Sequence, residues 1–141
     1  MPRRDEAGDG EPERAPFGYA VIRVVPRVER EEFVNVGVVL YSRPRLYLGA
    51  RLRLDPNRVC ALWPDVDVDA AERQLELIRL VAAGDAAGGV IASLPAAERF
   101  GWISAPASTV VQPGPVHAGL SADPAVTLNA LFTALVDRAA T

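Results

Sequence analysis

The chain has 141 residues, half of them hydrophobic, which is the size and apolar content of one folded domain with its own core. No apolar run approaches the ~20 residues that cross a bilayer, and the single cysteine, Cys60, excludes an internal disulfide and a cysteine-based zinc site. The formal charge of −3 argues against nonspecific nucleic-acid binding.

Residues 1–16 are rich in Arg, Asp, Glu, Gly and Pro, with no periodicity and no apolar stretch of the kind a secretory signal carries. They read as a disordered tail, residues 17–140 read as a single domain, and a reducing cytoplasm is the expected home. All fifteen basic residues are Arg. Arginine suits bidentate anion contacts, but isolated surface arginines need no such role. Their distribution is uneven: residues 17–54 hold seven Arg against three Glu, whereas residues 55–141 hold five Arg against ten acids.

Alternating residues with many β-branched side chains predict a first strand over 17–27, with Ala20, Ile22 and Val24 on one face and Tyr19, Val21, Arg23 and Val25 on the other. Pro26 ends it, because proline cannot donate to a ladder. A second strand spans 33–42, with Val34, Val36, Val38 and Leu40 opposite Asn35, Gly37, Val39 and Tyr41. After a turn at 42–45, a third strand over 46–54 sets Leu46, Leu48, Ala50, Leu52 and Leu54 against Tyr47, Gly49, Arg51 and Arg53. Asp55-Pro56 is an N-cap with proline at the first helical position and opens a short helix to about Trp63. Asp69 with Glu72 resembles a capping box, and Leu75, Ile78, Val81 and Ala82 form the stripe of the next helix. Residues 90–98 suggest one weak turn. Residues 99–122 show mixed signals, with an edge strand at 108–112 interrupted by Pro113-Gly114-Pro115. Asp123-Pro124 caps a last amphipathic helix carrying Leu128, Leu131, Phe132, Leu135 and Val136. The fold class is α+β: an antiparallel β-meander of three or four strands, with helices packed on the Ile22/Val36/Leu48 face.

The opposite face draws attention. Arg23, Asn35, Tyr41, Arg51 and Arg53 on it suit an anionic or planar ligand, or a protein partner, although antiparallel sheets commonly keep one solvated polar face. His117, the only histidine, sits in a predicted loop and is a candidate general base. It has no Gly-x-Ser-x-Gly elbow and no second histidine beside it, and Ser104, Ser108 and Thr109 are nucleophiles only if the fold brings them near. One histidine without a spaced cluster predicts no metal site, and no phosphate-binding glycine loop predicts a cofactor. Glu29, Glu31 and Glu32 read as a solvated acidic turn. Cys60, among apolar neighbours, reads as buried and unreactive.

The run Tyr19-Ala20-Val21-Ile22-Arg23-Val24-Val25-Pro26, followed by Glu32-Phe33-Val34-Asn35-Val36-Gly37-Val38-Val39-Leu40, resembles the opening of a bacterial family known as "domain of unknown function 3037". Arg99-Phe100-Gly101-Trp102, Val116-His117-Ala118-Gly119 and Asp123-Pro124 fit an actinobacterial branch of it. The resemblance carries over Arg23, Pro26, Glu32, Asn35, Gly37 and His117 as motif positions, with no reaction attached. It also implies an association with kinases resembling the HipA toxin kinase. Pro26, Glu32 and Gly37 have an equally good structural reading, since Arg23 and Asn35 fall in phase on adjacent strands and Glu32 can pair with an arginine.

Three functions follow in order of expectation: a non-enzymatic interaction or accessory module working with such a kinase, an enzyme or binder for a phosphorylated or nucleotide-like small molecule, and a nucleic-acid binder using the basic sheet.

Overall fold

The computed structural model describes residues 13–107 and 109–137. Most of the expected tail, Ser108 and the last four residues lie outside them. Three strands form a meander: β1 (Ala15–Val24), β2 (Val34–Ser42) and β3 (Tyr47–Leu52). Helices α1 (Pro56–Leu62), α2 (Val68–Ala83) and α3 (Ala96–Ile103) follow. Strands β4 (Val111–Pro113) and β5 (His117–Ser121) then precede helix α4 (Pro124–Leu135). All strand pairs are antiparallel, in the order β3-β2-β1-β4, and β5 also pairs with β1. No helix among the described residues is long and apolar enough to cross a membrane.

The α+β class holds, with five strands among the described residues rather than three or four. β1 starts at Ala15, so the last two residues of the expected tail belong to the sheet, where Ala15 is buried and pairs with Ser121. The expected edge strand is present as β4, but it spans 111–113 rather than 108–112 and ends on Pro113 instead of being interrupted by it. Pro113 has no N–H to offer, and the Val111 N–H is taken by the Gln74 side chain of α2 at 3.1 Å, which blunts that edge against further pairing. The loop expected around His117 is instead β5, running beside the first half of β1 with His117 opposite Tyr19.

Capping follows the sequence at α1 and α4, where Asp55 accepts from Asn57 N–H and Asp123 from the Ala125 and Val126 N–H groups. At α2 the cap is Asp67, which accepts from Ala70 N–H. Asp69 stands two residues too late and falls inside the first turn. α3 replaces the weak turn and mixed segment expected there, and short 3-10 turns at Ala86–Gly88 and Ile91–Ser93 lead into it.

The helices lie on both faces of the sheet, not on one. α1, α2 and α3 cover Ala20, Ile22, Val24, Val34, Val36 and Val39 with Val59, Trp63, Leu75, Ile78, Val81 and Ile103. A separate, smaller core joins Val38 and Leu40 to Leu128, Phe132 and Val136, so α4 closes the opposite face over β2 and β3. The cause is a β-bulge. Ile22 pairs with Gly37 but Arg23 pairs with Asn35, so Val36 is an extra residue in β2. Side chains alternate strictly within a strand, and one inserted residue exchanges the faces beyond it. Val34 and Val36 therefore face the first core, while Val38 and Leu40 face the second.

Candidate interaction surface

The same bulge redistributes the residues expected on one polar face. Arg23 and Asn35 are cross-strand partners, as their phase suggests. Arg51 lies on that face, opposite Val38. Tyr41 does not: it pairs with Gly18 and Leu48 on the other side and stacks on Phe100 of α3, with ring centroids 5.5 Å apart.

Most of the polar side chains under α4 hold that helix. The Arg51 guanidinium lies 4.4 Å from the Phe132 ring centroid and donates to Asn129 Oδ1 at 2.9 Å. Arg53 pairs with Asp137. Asn35 Nδ2 donates to the Leu135 carbonyl at 3.1 Å, and Arg58 from α1 donates to the Val136 carbonyl at 3.2 Å. The last carbonyls of a helix lack partners within it and carry the negative end of its dipole. Two cations and an amide meet this helix end.

What remains is the half of the face formed by β1 and its neighbours β4 and β5. Phe17, Tyr19, Val21 and Arg23 follow one another at every second residue of β1, all half-buried. The rings of Phe17 and Tyr19 are 6.2 Å apart, and exposed His117 brings its ring to 5.3 Å from Tyr19. At the far end Arg23 lies 4.1 Å from the centroid of Phe33, which is 44% exposed. Its other side lies against Gly114, where a Cβ would come within 2.9 Å of the guanidinium carbon. Arg23 Nε and Asn35 Oδ1 are buried and have no hydrogen-bond partner among the described residues. The strip is thus a row of aromatic and apolar side chains with a clamped cation at one end and an imidazole beside Tyr19, and its Phe17 and Tyr19 also pack against the smaller core under α4.

Among the described residues none of the candidate nucleophiles joins it. Ser104 donates to the Phe100 carbonyl and Thr109 to the Val111 carbonyl, while Ser108 is outside the described residues. Among those residues no group of three His, Cys, Asp or Glu side chains is placed to hold a metal. Cys60 is half-buried rather than fully enclosed.

A second feature escaped the sequence reading. The connection between β1 and β2 and the one between α1 and α2 enclose an open groove of about 550 Å³, lined by Pro26, Arg27, Arg30, Glu32, Trp63 and Asp65 among others. Pro26 and Glu32 were the available signal. Glu32 receives Arg30 Nε at 2.9 Å and Nη2 at 3.1 Å, so the arginine it pairs with is Arg30. These hydrogen bonds hold the Glu32 carboxyl below the usual glutamate range, and the Arg30 charge and a hydrogen bond from Trp63 act the same way against some desolvation. A carboxyl lowered in the folded state contributes stability above its unfolded pKa and loses it as pH falls through the folded value. A carbon-13 NMR titration should therefore find Glu32 titrating below an ordinary glutamate, and Arg30→Gln should move it back up. An unshifted Glu32 in the parent protein would show that the pair does not persist in solution.

A family model described as "Protein of unknown function (DUF3037)" matches residues 19–136. No curated protein and no solved structure matches the chain.

Proposed function

Because the chain belongs to the family described as "Protein of unknown function (DUF3037)", which carries no reaction to transfer, we propose from its own geometry that it is a non-enzymatic interaction module. The observation that supports this most is the division of the polar sheet face. Arg51, Arg53 and Asn35 bind the protein's own helix, and the strip left beside them is Phe17, Tyr19, Val21, Arg23, Phe33 and His117. Aromatic residues and arginine dominate the energetics of protein interfaces. His117 has a ring for a neighbour, not a nucleophile or an acid, so it reads as a contact residue. The partner put first is a kinase resembling HipA, the association that the family resemblance implies, met in the cytoplasm of an actinobacterium.

The test is a titration of that kinase from the same genome against the wild-type chain and against Arg23→Glu, Phe33→Asp and His117→Glu. Each variant should weaken binding by about tenfold or more, or ~1.4 kcal/mol. Leu46→Asp serves as a control, since Leu46 is an exposed turn residue. Absence of binding at about 100 μM, a Kd worth only ~5 kcal/mol, would end the kinase assignment. Binding indifferent to all three strip variants would end the surface assignment.

A further inference from the structure

The groove between the two connections lies outside the strip, and its walls carry opposite charges. Arg27, Arg30 and Glu32 stand on the β1–β2 side, and Asp65 and Asp67 on the α1–α2 side. Arg30 is neutralised by Glu32, and Asp67 caps α2. Arg27 and Asp65 are exposed and have no ion-pair partner among the described residues. Between them lies an apolar bed: Trp63, almost fully buried, Leu62, 60% exposed, and Val66, Pro26 and Val110.

The groove is built rather than incidental. Arg30 and Glu32, two residues apart, brace the β1–β2 wall through two hydrogen bonds. Between them Glu31 has φ of 55°, the left-handed region that a non-glycine residue adopts at a cost.

We infer that this groove is a second docking site, and that it takes an extended polypeptide segment with one apolar side chain flanked by an acidic residue toward Arg27 and a basic residue toward Asp65. The charge pattern selects among ligands. A polyanion such as single-stranded nucleic acid would meet three carboxylates against two arginines, and like-charge contacts across an interface are costly. A small metabolite needs most of its surface enclosed, which an open trough does not supply. An extended segment is met along one side only, and paired charges at its two ends fix its direction as well as its position.

The experiment is to select a phage-displayed library of twelve-residue peptides on the whole chain, then measure affinities of the enriched peptides by fluorescence polarisation. Enriched sequences should share an apolar residue between an acid and a base. Arg27→Glu and Asp65→Arg should each weaken them about tenfold or more, and a peptide whose acid is replaced by lysine should regain affinity for Arg27→Glu. Arg23→Glu and His117→Glu, on the separate strip, should leave these affinities unchanged, so this result stands or falls apart from the kinase titration. Circular dichroism melts identify any variant that fails to fold, and for such a variant Arg27→Gln or Asp65→Asn replaces it. The inference is overturned if no peptide class is enriched, if enriched peptides ignore both reversals, or if an oligothymidine twelve-mer binds and the peptides do not.

Discussion

Phe132→Ala should lower the free energy of unfolding by about 3–5 kcal/mol, the usual range for truncating a buried phenylalanine. Phe132 is 1% exposed and is the largest side chain of the smaller core, where it meets Val38, Leu40, Leu128 and Val136. It also carries the Arg51 guanidinium on its ring, so truncation removes a cation–π contact along with the buried area. Total stabilities of ~5–15 kcal/mol make this a large share. Urea denaturation gives the size of the effect, and amide hydrogen exchange gives its location. Exchange should accelerate in α4 and β3 more than in α2, because the two cores touch different faces. A loss below about 1 kcal/mol, or uniform acceleration, would mean that α4 contributes little or that the two layers act as one.

Gly37→Ala should cost about 1–3 kcal/mol, the range for overpacking a close-fitted site. A Cβ at Gly37 would fall 2.2 Å from Leu52 Cδ2 and 2.9 Å from the Arg51 carbonyl oxygen. The side chain can turn away, but the carbonyl belongs to the paired strand and moves only if β3 does. Adding Leu52→Ala should therefore restore part of the loss and not all of it, a coupling that a double-mutant cycle measures. Full restoration would place the conflict in the side chain alone. No loss in the single variant would show that the strands part freely, and the glycine of the family motif would then need another explanation.

Sequence periodicity located β1, β2, β3 and the helices α1, α2 and α4, because each carries a local signal of alternation, stripe or cap. It did not locate the bulge. Val34, Val36, Val38 and Val39 are chemically identical, so nothing in the residue types marks where the phase slips. The near-continuous apolar run of β2 did hold a clue, since strands covered on both faces read that way. β5 was hidden by its composition: glycine, alanine and histidine after two prolines have little strand preference of their own, and pairing with β1 supplies what the residues lack. The candidate site was legible in part. Arg23 and Asn35 share the face that their phase gives them, whereas His117, read as a loop residue, reaches that face only through the pairing of β5 with β1. The partners of Arg51 and Arg53 are far along the chain, at Asn129 and Asp137, and no local pattern reports such distant pairs. The groove combines two connections that are separate in sequence, of which only Pro26 and Glu32 stood out.

The placement of β4 and β5 also orders events during synthesis. Both pair with the same edge of β1, and both arrive after residue 110. The ribosome therefore delivers β1, β2 and β3 long before the strands that close the sheet. At ~5–20 residues per second, the interval between Val24 and Val111 is about 4–17 s. During that time the nascent sheet presents the Phe17–Arg23 edge unpaired, which makes a chaperone or an early-binding partner most useful before the last third of the chain has been made.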